Sequence, residues 1–137
     1  ASESILKAIE KRFETVGHPA DITLVHSCGQ SDRKDGIQHL AHEGLVKRIV
    51  GSHWGLQPRW MEMIANSQVE AYCLPQGQIA QLYRSMACGL PGKMSKVGLG
   101  TFIDPRVEGG KMNDRTKPLP DLVDILEYGG EEYMFYK

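Results

Sequence analysis

Three short polar stretches have the composition to do chemistry: Ser27-Cys28-Gly29-Gln30, Gly51-Ser52-His53-Trp54-Gly55 and Pro75-Gln76-Gly77. Each joins glycine, which lets a ligand approach the backbone, to a side chain that donates or accepts a hydrogen bond. Gln76 is the most pointed of these, because a side-chain amide at a helix start would stabilise an oxyanion without changing its own protonation state. Turn capping is its alternative role. His53 could serve as acid, base or substrate donor, or it could simply pack beside Trp54.

Other polar groups carry less. His39, His42 and Glu43 form an HxxHE cluster, which is not the HExxH order of a metalloprotease helix and has no third ligand in view, so no metal is assigned. Val97-Gly98-Leu99-Gly100-Thr101 lacks the later glycine and following helix of a dinucleotide fingerprint. Arg33-Lys34-Asp35 and Glu131-Glu132 read as solvated turn and edge-strand charges, and Cys88-Gly89 as packing at a helix end.

The elements that must position these stretches follow from periodicity. Ile5, Ile9 and Phe13 recur at helical spacing, widened by Leu6 and Val16, with Ser2 as an available N-cap and Gly17-His18-Pro19 as the stop. Apolar runs at 22–26, 46–50 and 69–74 read as buried strands, each delivered into one of the three polar stretches. Gln30 to Gly36 reads as a polar surface loop. Pro58 can occupy the first turn of a helix, and Ile79, Leu82, Tyr83 and Met86 mark another that closes at Gly89.

Strands alternating with helical segments predict an α/β fold: an open, mostly parallel sheet with βαβ crossovers. In such sheets ligands bind beyond the carboxyl ends of the strands, which is where the three polar stretches fall. Between Lys93 and Asn113 the periodicity fails and glycines at 98, 100, 109 and 110 predict a long irregular connection. Gly129-Gly130, between two strand-like runs, predicts a tight hairpin.

Composition narrows the function classes. The chain has 137 residues, a net charge of −1 and 41% hydrophobic residues, enough for one core and no basic face for nucleic acid. Three cysteines, Cys28, Cys73 and Cys88, give neither an even set nor a CxxC pair, so a reducing, cytoplasmic setting is expected. No apolar run approaches the ~18 to 20 residues of a membrane span.

The segments VKRIVGSHWGLQP, VEAYCLPQGQIAQLYR and VGLGTFIDPRVEGGK, in this order, resemble the first domain of family I coenzyme A-transferases. LAHEGLVKRIVGSHWG and FIDPRVEGGKMN bring the resemblance nearest to the single-chain acetate or propionate type. It implies a ribose-5-phosphate isomerase-like superfold, here as a partial first domain without its N-terminal strand, its first glycine-rich loop or its C-terminal strands.

The resemblance further implies a ping-pong exchange of CoA between a short-chain acyl-CoA and a carboxylate, through a glutamyl-CoA thioester. The nucleophilic glutamate of that family lies in a second domain or subunit, in a Glu-Asn-Gly-like motif that does not occur here. Carried onto this chain, the resemblance places Gln76 at the oxyanion hole, and Gly29, Gly98, Gly100 and Thr101 at the acyl or carboxylate pocket, with His53 and Gly77 completing the expected binding set. CoA enters as substrate, no cofactor is bound permanently, and the implied partners are a second CoA-transferase domain or subunit and further copies in a homo-oligomer. A sugar-phosphate isomerase or deaminase of the same superfold, and a binding module without catalysis, are the competing readings. The first needs an acid/base carboxylate and phosphate loops that the sequence does not supply.

Overall fold

The computed structural model describes residues 2–137. Helix α1 (Glu3–Val16) ends where Gly17 turns left-handed and its N–H bonds the Phe13 carbonyl. Ser2 stands at the N-cap but its side chain makes no capping bond. Strands β1 (Ile22–Val25), β2 (Val46–Gly51) and β3 (Glu70–Cys73) form a parallel sheet in that spatial order. Helix α2 (Pro58–Ala65) connects β2 to β3, with Pro58 in its first turn as expected.

The β1–β2 connection departs from a regular crossover helix. It holds only a 3-10 helix, Gly36–Leu40. The departure has a local cause: the Asp32 carboxylate accepts the N–H groups of Lys34 and Asp35, and such bonds compete with helix propagation. His42 therefore lies beyond the helix rather than on one helical face with His39.

After β3 comes α3 (Gln76–Ala87), then a second sheet built from β4 (Lys93–Ser95), β5 (Val123–Tyr128) and β6 (Glu131–Tyr136). This sheet is antiparallel, in the order β4-β6-β5. The Gly129-Gly130 turn takes positive φ at both residues, 63° and 76°, as the hairpin requires. β4 lies inside the stretch read from sequence as wholly irregular, because three residues are too few to show alternation.

The pleat of the parallel sheet divides the core in two. Ile49 and Ala71 face a cluster with Leu45, Trp60, Met63 and Val69, which α1 covers through Leu6, Ile9 and Phe13. Val50 and Tyr72 face the other way, toward Leu74, Ile79 and Leu82 of the α3 side and Val123, Met134 and Tyr136 of the hairpin sheet. The sheet is thus sandwiched, and its carboxyl ends stay open. Among the described residues, no helix is long and apolar enough to cross a membrane.

Candidate active site

The three strand ends do converge. A cleft of about 470 Å³ is lined by Cys28 after β1, by Ser52 and His53 after β2, and by Cys73, Leu74, Pro75 and Gln76 at the β3–α3 junction, with Ile103 closing it from the later connection. Parallel pairing forces this arrangement, since Val25 lies opposite Val50 and Gly51 opposite Cys73, so the chains leave the sheet side by side. Beyond the ladder the Ser52 hydroxyl donates to the Ser27 carbonyl, the Leu74 N–H to the Gly51 carbonyl at 3.0 Å and the Cys73 thiol to the Ser52 carbonyl at 3.7 Å. These bonds fasten the three loops to one another.

Gln76 is the first residue of α3, behind Pro75. Its side chain is exposed and makes no hydrogen bond with the described residues. The N–H groups of Gln76 and Gly77 belong to the first helical turn, which has no upstream carbonyl partner. A free amide side chain and a helix N-terminus therefore face the same opening, an arrangement suited to negative charge developing on oxygen. His53 is likewise exposed and without a hydrogen-bond partner. Burial pushes the Cys73 thiol above its ordinary value, which keeps it protonated and unreactive.

Beneath the β2 loop the packing is dense. His26, 8% exposed, meets Trp54 edge to face at 4.4 Å between ring centroids. A Cβ at Gly51 would come within 2.5 Å of the His26 ring and 2.7 Å of Trp54, so this glycine is needed for close approach. Burial, with help from His53, lowers the His26 pKa to about 4, and its imidazole stays neutral.

The glycines singled out from sequence have other neighbours. Gly29 is buried where a Cβ would strike Gln57 and Ile37, and its carbonyl accepts the Gln57 side-chain N–H at 2.7 Å. Gly98 has φ 98° and sits against the Tyr136 hydroxyl and the Met134 sulfur, which leave no room for a side chain. Gly100 donates its N–H to Asp104 at 2.8 Å, and the Thr101 hydroxyl donates to the Gly98 carbonyl at 2.7 Å. Gly29, Gly77, Gly98, Gly100 and Thr101 do not line the cleft; Gln76 and His53 do.

Lining residues absent from the sequence-based set are Cys28, Ser52, Cys73, Leu74, Pro75 and Ile103. Cys28 and Ser52 belong to strand-end stretches already noted, whereas nothing local marks Ile103. The HxxHE histidines occupy a different place, the seam between α1 and the 3-10 helix. His39 contacts Glu10 at 2.5 Å and Glu3 at 2.7 Å, and His42 contacts Glu10 at 2.8 Å. Carboxylates thus converge there that the sequence did not reveal, giving Glu3-Asp35-His39 and Glu10-Glu14-His42 groups of metal-ligand type. The Lys7 ammonium, 3.4 Å from both Glu3 and Asp35, already pairs with both carboxylates of the first group.

A second cleft of about 470 Å³ is lined by residues including Glu108, Lys111, Lys117 and Asp121. Its Lys111 is committed to Asp121 at 2.9 Å and the Leu119 carbonyl at 2.6 Å, and it receives no strand ends.

Fold and strand-end architecture define an α/β protein with its site at the carboxyl edge of a parallel sheet. Residues 7–137 match the family described as coenzyme A transferase, and the chain belongs to that family. It is 42% identical over 136 residues to the caffeate CoA-transferase of Acetobacterium woodii, a match covering 98% of this chain and 26% of the relative. It is 38% identical over 135 residues to the acetate CoA-transferase YdiF of Escherichia coli K12, covering 98% of this chain and 25% of the relative. The crystal structure of the acyl-CoA transferase YdiF from E. coli O157:H7, in a thioester complex with CoA, superposes with a TM-score of 0.93 at 36% identity over 98% of this chain and 26% of that one. The chain thus spans about a quarter of the length of these relatives.

Proposed function

We propose that the chain forms part of the acyl site of a CoA-transferase that exchanges CoA between a short-chain acyl-CoA and a carboxylate acceptor. The observation that carries this reading is the unpaired Gln76 amide at the α3 N-terminus, over a cleft made from three strand ends. In the exchange, a glutamate supplied from outside residues 1–137 attacks the thioester carbonyl. Gln76 donates a hydrogen bond to the oxyanion of the tetrahedral intermediate as thiolate leaves, giving an acyl-glutamyl anhydride. The CoA thiolate then attacks the glutamyl carbonyl, releasing the first carboxylate and leaving a glutamyl-CoA thioester. The acceptor carboxylate reverses both steps.

Family membership and the acyl-CoA transferase names of the relatives support the activity. The relatives' names, caffeate and acetate CoA-transferase, differ greatly in the size of the group carried. A second CoA-transferase domain or subunit supplies the glutamate, a role for which the alpha-subunit relative from Clostridium acetobutylicum, 33% identical over 69 residues, offers a two-chain precedent. Gly29, Gly98, Gly100 and Thr101 contribute by shaping the loops around the site, His53 by lining it and Gly77 through its place in the first turn of α3.

The test is to mix the complete polypeptide that carries this chain with an acyl-CoA and treat it with borohydride. The expected product is a single glutamate reduced to an alcohol, outside residues 1–137 and only when acyl-CoA is present. Full transferase turnover with no borohydride-sensitive glutamate would refute the mechanism.

A further inference from the structure

One wall of the cleft comes from far along the chain. Ile103 reaches it from the connection after β4, is 8% exposed, and shares an apolar cluster with Leu74 and Ile79. Its backbone is fixed on both sides. The Ile103 N–H donates to the Thr101 hydroxyl oxygen at 3.3 Å. Next to it Asp104, 1% exposed, accepts the Gly100 N–H at 2.8 Å, the Arg106 backbone N–H at 2.9 Å and two guanidinium N–H groups at 3.0 and 2.8 Å. Arg106 extends this anchor to Glu132 on β6 at 2.9 Å.

The other side of the loop is stitched to the parallel sheet. The Phe102 carbonyl accepts the Gly110 N–H at 3.0 Å, and the Gly110 carbonyl accepts the Cys73 N–H at 2.7 Å, one residue before Leu74. A β-branched side chain has few rotamers on a fixed backbone. Ile103 therefore has few alternative positions in which to admit a larger ligand. In a site of this kind the polar groups fix the reacting carbonyl, while apolar walls meet whatever extends beyond it.

We propose that Ile103 is a specificity-determining residue, a rigid steric gauge that limits the size of the acyl group, with Asp104 and Arg106 as the positioning residues that hold it. The proposal rests on the reading of the cleft as the acyl site. It assigns the acyl preference to a residue that bears no part of the chemistry.

The experiment compares kcat/KM for acetyl-, butyryl- and hexanoyl-CoA in the complete polypeptide, wild type against Ile103→Ala, Ile103→Val and Ile103→Phe. The expected result for Ile103→Ala is a rise of about 10-fold or more in the hexanoyl-to-acetyl ratio, the scale on which a hydrophobic pocket discriminates methylenes. Ile103→Phe should move the ratio the opposite way. Ile103→Val, close to native volume, should shift it in the alanine direction by a smaller factor and keeps the test decisive if the alanine variant does not fold. An unchanged ratio, or an equal loss for all three substrates, in folded variants of an active enzyme would overturn the gauge and leave the transferase reading intact. A wild-type protein that transfers CoA from none of the three would overturn the reading beneath it.

Discussion

Four of the five histidines of this chain fall into two regions that treat polar groups in opposite ways. In the seam under α1, His39 has both ring nitrogens on carboxylates, Glu10 and Glu3, and Arg59 of α2 adds a contact to Glu10 at 3.7 Å. At the strand ends, His53 and Gln76 are exposed and make no hydrogen bond with the described residues, and among these buried His26 finds no partner for either ring nitrogen. A polar side chain that folding has already satisfied serves the fold; one left free at a cleft is available to a ligand. The comparison predicts that changes in the seam act on stability and changes at the cleft act on turnover.

The largest stability effect should come from the anchor behind the seam. Trp60 is fully buried and its indole N–H donates to the Ile37 carbonyl of the 3-10 helix at 3.0 Å. Trp60→Ala should cost about 3 to 5 kcal/mol in denaturant unfolding. A smaller loss would mean that the seam relaxes onto the cavity.

Next comes a place where the comparison could break, because Gly51 belongs to the cleft side yet is tightly packed. Gly51→Ala should cost about 1 to 3 kcal/mol through overlap with His26 and Trp54, and would disturb turnover only by way of the fold. Native stability with lost turnover would instead put Gly51 at the ligand.

The smallest effect is electrostatic and depends on pH. Burial opposes charge on His39, but its contacts with Glu10, Glu3 and Asp35 outweigh burial and raise its pKa above the ordinary 6.5. Burial also opposes charge on Glu10, and the bonds to His42 and His39 outweigh that, lowering its pKa below the ordinary 4.5. The raised histidine contributes stability that is fully present below pH 6.5 and fades as pH rises through its folded value. The depressed carboxylate contributes above pH 4.5 and fades as pH falls through its folded value. Glu10→Gln should therefore destabilise by about 1 kcal/mol between those limits and by progressively less above them. A difference that grows steadily toward alkaline pH would contradict the charged seam.

Much of this architecture is legible in the sequence because it is local. The strand runs, Pro58 at a helix start, the Gly129-Gly130 turn and the Pro75-Gln76-Gly77 junction each carry their own signal. What is not legible depends on contacts between distant residues. The Glu10–His39 and Glu3–His39 pairs span 29 and 36 residues, so HxxHE alone could not reveal its carboxylates. Ile103 lies in a stretch without periodicity, and the Asp104 anchor, the Gly110–Cys73 bond and the Tyr72–Lys111 bridge bring it beside Leu74. Gly98 and Gly100 stand out in sequence for their type, but folding uses them for close packing and for a turn.

Gln76 is the proposed oxyanion donor. The most direct measurement is steady-state CoA transfer by the complete polypeptide with Gln76→Ala, alongside its thermal unfolding. The expected result is a fall in kcat of about 10²-fold or more with the midpoint unchanged, since the exposed amide makes no hydrogen bond with the described residues. Wild-type turnover, or a loss that follows a lowered midpoint, would contradict it.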